Sequence, residues 1–302
     1  MSDGKLTTEY IHKVFLDPKR GAVKTTEIYD ELAEKYNEIV RGFQYKAPRR
    51  VVETLASLIG DRNRAGMKIM DLGCGTGLVG EALYAAGFTQ LDGVDPSQGM
   101  LDVARSKGIY GELVCAYVGV GNEKLSFPDN SYDALTIAGS MGVNMMPCEG
   151  IYEMHRLVKP GGYIINIVRQ ETVNDIEGFK DRLEPMMSEM EKDGKWKLVS
   201  RVLFPDYLVD QGGVIFTHQW GVDGTVASES ALRSAGNLLS QVRAPPPAPW
   251  PDGGPESQRS PCCGLAIYNK PNQTTEEQQF KRPVGNNDCV VVWSFVRSSV
   301  YY

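Results

Sequence analysis

The stretch from Lys68 to Leu78, KIMDLGCGTGL, decides the fold. Its first five residues form a short apolar run that is typical of a buried β-strand. Gly73, Gly75 and Gly77 then predict a tight loop that a ligand can approach closely, because glycine has no Cβ and tolerates positive φ. The apolar residues after the loop predict a helix whose free N–H groups face it. The sequence therefore predicts the unit with which open α/β sheets bind nucleotide-like ligands.

The spacing of the loop separates two classes of such ligands. A dinucleotide fingerprint needs G-x-G-x-x-G, whereas the third glycine here comes one residue early, at Gly77. Asp71 stands just before the loop, where its negative charge would face a pyrophosphate. No G-K-S or G-K-T follows, so a P-loop is excluded. A nicotinamide dehydrogenase is accordingly a disfavoured alternative.

A second signal lies in the run from Leu91 to Ser97, LDGVDPS. Asp95 comes 18 residues after Gly77, at the end of the next predicted strand. A carboxylate there can accept hydrogen bonds from both hydroxyls of a ribose. An aspartate at a strand end more often starts a turn or caps a helix. The glycine loop in the same βαβ unit favours ribose binding instead.

Short apolar segments alternate with helical segments for about a hundred residues from Lys68 onward. This alternation is typical of an α/β fold with a doubly wound, mostly parallel sheet. The predicted strands of this region are Lys68–Leu72, Leu91–Val94, Glu112–Val118, Asp133–Ala138 and Tyr163–Val168. The predicted helices are Leu78–Ala86, a segment capped by Ser97, and Pro147–Val158, which leads into a turn at Pro160-Gly161-Gly162.

Further elements are expected on both sides of this region. Apolar residues at three- and four-residue steps predict amphipathic helices over Thr26–Val40 and after Pro48, a residue that suits a first helical turn. One long helix is expected from Ile176 to Met190. The last predicted elements are two antiparallel strands, Trp196–Phe204 and Val214–Trp220, joined by a loop with Gly212-Gly213.

The composition limits the classes of partner. The chain has 302 residues, 42% of them hydrophobic, and a net charge of −6 with a sequence pI near 5.3. An acidic chain lacks the general attraction to phosphate on which non-specific nucleic-acid binding depends, so nucleic acid is not an expected partner. Because there is no secretory signal and no run of roughly 18 apolar residues, we expect a cytoplasmic protein without membrane attachment. The six cysteines show no zinc-ligand spacing, and no metal site is expected.

Four motifs resemble, in order and at matching separations, those of the class I S-adenosylmethionine-dependent methyltransferases, which have a Rossmann-like fold. The motifs are Asp71–Gly77, Gly93–Ser97 with Met100-Leu101, Leu125–Asp129 with Tyr132–Ala134, and Arg156–Gly162. Tyr29–Asn37 is similar to the helix that closes over the cofactor in many members. The run Val143–Cys148, continued to the Pro-Gly-Gly, resembles more narrowly the Williams–Beuren-region methyltransferase-like proteins. The resemblance covers roughly residues 26 to 220.

The resemblance implies S-adenosylmethionine as the cofactor and places its methionine end at the glycine loop. Asp71 and the main chain of Gly73, Cys74 and Gly75 would hold the amino and carboxylate groups. Gly77 would let the following helix start close to the ligand.

The resemblance also assigns the adenosine end and the reacting centre. Asp95 would hold the ribose, and Pro96 and Met100 would line the adenine. The residues at the end of the fourth strand that would face the sulfonium and the acceptor are Ala138, Gly139 and Ser140. Tyr36, in the closing helix, is expected over the cofactor or the acceptor.

One position departs from the family pattern. Many members carry an aspartate that contacts the adenine amino group about four residues before the Leu-x-Phe segment. Gly121 occupies that position here, so we expect the contact to pass to Asn122 or to a backbone carbonyl.

No catalytic residue is assigned from the sequence. Methyl transfer from a sulfonium depends chiefly on alignment and exclusion of water, and a base is needed only when the acceptor must first lose a proton. His155 and His218 are interpreted as structural. Pro147-Cys148 is interpreted as a helix start and not as the nucleophile of a cytosine-5 methyltransferase.

The chain is expected to have three parts. Residues 1–25 form an extension and residues 26–224 the methyltransferase domain, with a helical cap over 26–65 and an α/β core over 66–224. Residues 225–302, rich in Pro, Gly and Ser, are expected to be of low order. Their apolar run VVVWSFV leaves three interpretations open: a strand docked on the domain, an aggregation-prone segment, or non-native coding sequence.

The expected function is S-adenosylmethionine-dependent methyl transfer to a small molecule, since no nucleic-acid features appear and the N-terminal region resembles a lid. Two alternatives stay open. One is a regulatory or scaffold protein that binds the cofactor without turnover, which Gly121 and the tail permit. The other is a methyltransferase that acts on protein side chains. The oligomeric state is not predicted.

Overall fold

Seven strands form one sheet in the computed structural model. They are β1 Lys68–Leu72, β2 Gln90–Asp95, β3 Tyr110–Cys115, β4 Tyr132–Ala138, β5 Val158–Arg169, β6 Lys197–Leu208 and β7 Gln211–Gln219. Their order across the sheet is β3-β2-β1-β4-β5-β7-β6. The first five are parallel, and β7 runs antiparallel to both of its neighbours. Because the strand order reverses between β1 and β4, a crevice forms at the carboxyl ends of these two strands.

Seven α-helices flank this sheet in the part of the chain that is described. They are α1 Ala22–Gly42, α2 Ala47–Ile59, α3 Leu78–Ala85, α4 Gln98–Ser106, α5 Gly150–Leu157, α6 Gln170–Asn174 and α7 Leu183–Lys192. Helices α2 and α3 pack against each other, and α1 packs on α4. The doubly wound, mostly parallel architecture predicted from the sequence is confirmed.

Two hydrophobic cores lie on opposite faces of the sheet. Side chains of successive strand residues point to opposite faces, so Ile69 joins one core and Met70 the other. The first core contains the apolar face of α2, including Val51 and Leu55. The second contains α5 and α7. Burial on both faces explains why the central strands are continuously apolar in the sequence.

The structure describes residues 17, 19–60, 63–121 and 124–221. Of the expected N-terminal extension the structure describes Asp17 and residues 19–25, the last four of which belong to α1, whereas the expected tail falls wholly outside the described residues. The division into three parts therefore stays a prediction. Among the described residues, no helix has both the length and the apolar character needed to cross a membrane.

Helix α5 starts later than the sequence predicts. The expected helix began at Pro147, but the first regular turn begins at Gly150. The amides of Gly150 and Ile151 bond to Pro147 and Cys148, three residues back instead of four, at 3.0 and 3.1 Å. The segment from Pro147 is therefore a tight turn that leads into the helix.

The Pro160-Gly161-Gly162 segment is part of β5 and not a separate turn before it. The Gly161 amide donates to the Trp220 carbonyl at 3.0 Å, and the Trp220 amide donates to the Gly162 carbonyl at 3.1 Å. These bonds tie the segment to the end of the last strand, although Gly161 has a φ of 80°. The strand begins at Val158 and has an irregular register opposite Tyr132 and Ala134.

The long helix expected from Ile176 to Met190 is wrong: the structure has α6 before this region and α7 within it. Gly178 and Asp181 adopt positive φ, which a continuous helix does not allow. Phe179 is nevertheless buried in the second core. The spacing of apolar residues predicted the burial of Phe179 correctly, but it did not predict the interruption of the helix.

The antiparallel pair predicted near the end of the domain is confirmed, although its connection differs. Gly212 and Gly213 belong to β7, and the chain reverses at Val209 and Asp210, where Asp210 has a φ of 58°. The third strand also ends earlier than expected, at Cys115. There the Ala116 amide donates to the Asp95 carbonyl at 3.2 Å before the chain leaves the sheet.

Candidate active site

A cavity lies at the carboxyl ends of the parallel strands, with α1 as one of its walls. The residues after β1 and at the ends of β2, β4 and β5 contribute Gly73, Asp95, Ala138 and Arg169. Helix α1 contributes residues between Thr25 and Val40. This is the topological switch point at which open α/β sheets bind ligands.

The glycine loop shapes one wall of the cavity. Gly73 has a φ of 67°, and a Cβ at this position would come within 2.1 Å of Ser140 Oγ. Gly77 has a φ of 84° and forms the N-cap of α3. Gly73 and Gly75 line the cavity, whereas Cys74 is buried and Gly77 packs against Tyr110. Any side chain at Gly73 would therefore displace Ser140 or strain the loop.

The amides of this loop are already used inside the protein. Gly73 and Cys74 donate to the Val94 carbonyl at 2.7 and 3.0 Å. Gly75 donates to Asp95 Oδ2 at 2.9 Å. These groups cannot also serve as free donors to a carboxylate, so the loop can offer a ligand mainly carbonyl oxygens. Carbonyl oxygens accept hydrogen bonds from an ammonium group.

Asp95 is held rigidly at the edge of the cavity. Its Oδ1 accepts a hydrogen bond from the Ser97 amide at 2.9 Å and its Oδ2 accepts the one from Gly75. Each oxygen keeps a second lone pair. Burial raises the pKa of the carboxyl to about 6, although the two amide hydrogen bonds oppose the rise. The side chain is therefore a preorganised acceptor that is mostly ionised at neutral pH.

Asp71 lies beneath the cavity and does not line it. Its Oδ1 accepts from Thr136 Oγ1 at 2.9 Å and its Oδ2 accepts from the Tyr110 hydroxyl at 2.8 Å. Burial raises the pKa of this carboxyl to about 7. These partners hold β1 to β4 and β3, so the side chain has a structural task besides any contact with a ligand.

Helix α1 is fastened to the two motifs by side-chain hydrogen bonds. Asn37 Oδ1 accepts from Thr76 Oγ1, in the glycine loop, at 2.6 Å. Asp30 Oδ1 accepts from Ser97 Oγ at 2.6 Å and from the Gly99 amide at 2.8 Å, at the start of α4. Closure over the strand ends therefore depends on polar contacts to the loop and to the helix after Asp95.

Tyrosines dominate the far side of the cavity, where Tyr29, Tyr36, Tyr45 and Tyr207 line it. Tyr117 also lines the cavity, but it follows β3, which pairs with the strand of Asp95. The rings of Tyr45 and Tyr207 meet edge to face, with centroids 5.3 Å apart. Burial raises the pKa values of the phenols of Tyr36, Tyr45 and Tyr207. At neutral pH these groups are neutral hydroxyls that donate hydrogen bonds, and they are poor bases.

Arg169, the last residue of β5, brings a positive charge into this tyrosine-rich side. The residue is 9% exposed. Its Nη1 is buried and has no hydrogen-bond partner among the described residues. The carboxylate of Glu171 lies 3.7 Å from that nitrogen, beyond hydrogen-bonding distance.

The side chains interpreted as structural lie outside the cavity. His155 bonds through Nε2 to the Lys195 carbonyl at 3.1 Å. His218 stacks on Trp196 with centroids 4.5 Å apart, and burial lowers its pKa to about 4. Cys148 is buried, and its thiol donates to the Gly178 carbonyl. None of these three lines the cavity.

Comparison with known proteins agrees with this geometry. A family model for a methyltransferase domain matches residues 69–162. Human methyltransferase-like protein 27 is 36% identical over 170 residues, which cover 56% of this chain and 66% of that protein. The ubiquinone/menaquinone biosynthesis C-methyltransferase UbiE of Ectopseudomonas oleovorans is 32% identical over 155 residues, which cover 47% of this chain and 84% of that protein.

The chain belongs to the class I S-adenosylmethionine-dependent methyltransferases. The narrower resemblance to the Williams–Beuren-region methyltransferase-like proteins is confirmed by the human relative, of which this chain spans just under two thirds. The crystal structure of the 4+2 cyclase SpnF shares the fold, with a TM-score of 0.52 at 18% identity, and covers 67% of this chain and 97% of that one.

The cavity of this chain fits the superfamily's cofactor. Gly73 and Gly75 line the cavity and carry no side chain, so a ligand can approach the main chain of the loop closely. The Asp95 carboxylate stands beside the loop with acceptor capacity to spare. Pro96 and Met100 provide apolar surface next to that carboxylate.

The fold brings together most of the site residues expected from the sequence. Those that line the cavity are Tyr36, Gly73, Gly75, Asp95, Pro96, Met100, Ala138, Gly139 and Ser140. Those that do not line it are Asp71, Cys74 and Gly77. Asn122 lies outside the described residues, and its contact with adenine stays a prediction.

Sequence reasoning missed Arg169 and Tyr207 altogether and gave little weight to Tyr29 and Tyr45. Arg169 ends an apolar strand, and a charge directly after such a run at the carboxyl edge of the sheet was a usable signal. Tyr207 lies in β6, where the alternation of apolar and polar residues does not indicate ligand binding. Only the fold brings it opposite Tyr45.

Proposed function

We propose that this chain transfers a methyl group from S-adenosylmethionine to a small molecule. The observation that supports this best is one continuous cavity that joins the glycine loop and Asp95 to a tyrosine-lined space beneath α1. The first part suits the cofactor. The second is a partly apolar space beside the end of β4, as an acceptor site requires.

The cofactor supplies a methyl group bonded to a positively charged sulfur, which an acceptor atom displaces in line. In this proposal Asp95 accepts hydrogen bonds from the ribose hydroxyls, while Pro96 and Met100 pack against the adenine. Helix α1 excludes water from the space between the two reactants. The protein then contributes mainly alignment and a dry environment.

The described residues favour an acceptor that needs no strong base from the protein. The tyrosine hydroxyls hold their protons tightly because they are buried. Asp71 has a raised pKa, but it lies beneath the cavity and is bonded to Tyr110 and Thr136. The acceptor would therefore arrive already nucleophilic, or would lose its proton to water.

The walls of the acceptor space favour a planar ring. Aromatic faces and edges from several tyrosines offer stacking and edge-to-face contacts to a ring substrate. The bacterial relative is named as a ubiquinone/menaquinone biosynthesis C-methyltransferase. We therefore propose a quinone-type or phenolic ring as the acceptor class.

The experiment is methyl transfer from labelled S-adenosylmethionine by the full chain. The acceptor panel contains 1,4-naphthoquinol, a catechol and a lysine-containing peptide. We expect labelled product from a ring acceptor, loss of that product in Asp95→Ala, and none of that loss in Asp102→Ala, whose carboxylate is exposed on α4.

The other outcomes separate the alternatives. Transfer to the peptide alone would make this a protein methyltransferase. Binding of S-adenosylhomocysteine with no transfer to any acceptor would support a non-catalytic, cofactor-binding protein. Failure to bind S-adenosylhomocysteine would contradict the proposal as a whole.

A further inference from the structure

Arg169 is a buried cation that has a long ion pair with Glu171 but no hydrogen bond at its Nη1 among the described residues. It ends β5 and immediately precedes α6. Only 9% of the residue is exposed, and its Nη1 makes no hydrogen bond to any described residue. Proteins rarely leave a buried guanidinium in this state, because desolvation of the charge is costly unless hydrogen bonds and an opposite charge compensate for it.

Glu171 only partly neutralises this charge. Its Oε2 lies 3.7 Å from Nη1, and about a third of its side chain is exposed to solvent. At that distance the pair has attraction but no hydrogen bond. A bidentate arginine–carboxylate pair, the arrangement that a guanidinium fork favours, is not formed. The Nη1 donor of Arg169 is therefore available for a further negatively charged oxygen.

The position of Arg169 assigns it to the acceptor side of the cavity. In the sheet order β4 separates β5 from β1, so Arg169 lies two strand spacings, about 10 Å, from the strand that carries the glycine loop. Asp95 is one strand farther away. The cofactor motifs and this arginine thus face opposite ends of one cavity.

The groups around Arg169 suit an organic anion. Its charge opposes the rise in the pKa values of Tyr29 and Tyr207, so both phenols lie within its field. A Cβ at Gly142 would lie 4.0 Å from Arg169 Nη2, so Gly142 lies close to the guanidinium. A ring placed among the tyrosines could direct an anionic substituent toward the guanidinium.

We propose that Arg169 binds a negatively charged oxygen of the methyl acceptor, which is therefore an acidic ring compound that carries a carboxylate or an ionised ring hydroxyl. This inference rests on the proposed function, because it concerns the acceptor end of the same cavity. It goes further in requiring an anion, which a quinone-type or phenolic ring does not by itself supply.

The test uses matched pairs of probes that differ in charge. One pair is 4-hydroxybenzoate and 4-hydroxybenzamide, which tests a carboxylate. The other is 2-hydroxy-1,4-naphthoquinone, ionised at neutral pH, and 1,4-naphthoquinone, which tests a ring oxygen. Each is titrated by calorimetry into the full chain, with and without saturating S-adenosylhomocysteine.

We expect the anionic member of at least one pair to bind about tenfold more tightly than its neutral partner, as one charge-assisted hydrogen bond provides. Arg169→Gln should abolish that preference, whereas Arg169→Lys should retain part of it. Arg105→Gln, at an exposed ion pair with Asp102, is the matched control and should change nothing. Thermal melting verifies that each variant is folded.

Equal or undetectable binding of both members of each pair to the wild-type chain would overturn the inference, even if Arg169→Gln failed to fold. A tenfold loss of S-adenosylhomocysteine affinity in Arg169→Gln would also overturn it, because the arginine would then serve the cofactor. Cofactor binding by the wild-type chain is measured separately. Its absence would count against the proposed function, not against the charge preference of the probes.

Discussion

The two ends of the cavity are built in different ways. The proposed cofactor end consists of the glycine loop and Asp95, which belong to one βαβ unit and would act mainly through backbone shape and one carboxylate. The proposed acceptor end consists of side chains from α1, β5 and β6, which are far apart in sequence. We infer that changes at the cofactor end alter cofactor affinity, whereas changes at the acceptor end alter acceptor choice.

Gly73→Ala should have the largest effect at the cofactor end. Its Cβ would clash with Ser140 at 2.1 Å in a backbone conformation with positive φ. We expect S-adenosylhomocysteine affinity to fall by about 100-fold or more, since the clash moves the loop against the ligand. Gly108→Ala is the control, because Gly108 also has a positive φ but open space around it. Equal affinities of the two variants by calorimetry would refute a special role for the Gly73 wall.

The second effect is a pH dependence of cofactor binding. Asp95 can accept hydrogen bonds from both ribose hydroxyls only when it is ionised, because each of its oxygens already accepts one amide hydrogen bond, and burial raises its pKa to about 6. Affinity for S-adenosylhomocysteine should therefore fall as pH drops through 6, by about tenfold at pH 5 relative to pH 7.5. Calorimetric titrations across this range provide the measurement.

Two variants assign this pH dependence to a residue. Asp95→Asn should bind weakly at every pH and lose the dependence. Asp71→Asn should keep it, because Asp71 does not line the cavity. A flat wild-type profile between pH 5 and 7.5 would show that Asp95 is not the ribose-binding carboxylate.

A smaller effect is expected where α1 is fastened to the glycine loop. Asn37→Ala removes the 2.6 Å hydrogen bond to Thr76. One net hydrogen bond is worth about 1 kcal/mol, so we expect a roughly fivefold loss of S-adenosylhomocysteine affinity with a faster dissociation rate. Glu38→Ala, on the exposed side of the same helix, is the control. Stopped-flow dissociation rates that are equal in the two variants would mean that the contact does not hold the lid.

Asp71→Asn should change affinity least, by no more than about twofold, but it should change stability. The folded-state pKa of Asp71 is raised from 3.8 to about 7, so the folded protein binds this proton more tightly than the unfolded chain. Its contribution to stability is present below pH 4 and is lost as pH rises toward 7. In the wild-type chain the free energy of unfolding should decline with rising pH, with a limiting slope of about 1.4 kcal/mol per pH unit for one proton. In the variant this decline should be smaller.

Denaturant unfolding of both proteins at several pH values measures this slope. If Asp71→Asn instead weakened S-adenosylhomocysteine binding tenfold with an unchanged slope, Asp71 would belong to the ligand site, as the family resemblance implies.

The difference between the two ends of the cavity also explains which site residues the sequence could predict. The glycine loop, Asp95 and the cap at Ser97 depend on neighbouring residues, so local spacing was enough to identify them. Tyr207 and Arg169 reach the cavity only because β5 and β6 lie where the sheet places them. No local sequence pattern predicts that these two residues line the same cavity.

Local conformations were the other source of error. The single helix expected after β5 is interrupted because Gly178 and Asp181 take positive φ, which periodicity does not report. The sequence likewise did not reveal that amides of the glycine loop are already used in hydrogen bonds within the protein. Val94 and Asp95 already accept those hydrogen bonds, and only the register between β1 and β2 shows it.

One titration decides whether the cavity is a cofactor site. S-adenosylmethionine and S-adenosylhomocysteine are titrated by calorimetry into the wild-type chain and into Asp95→Ala, with NADH as the unrelated nucleotide. We predict that both adenosyl ligands bind the wild-type chain, that NADH does not, and that Asp95→Ala weakens binding by about 1–3 kcal/mol, the range for loss of a buried hydrogen-bond partner. Binding of NADH alone, or adenosyl affinities that are equal in the two proteins, would contradict the assignment of this site.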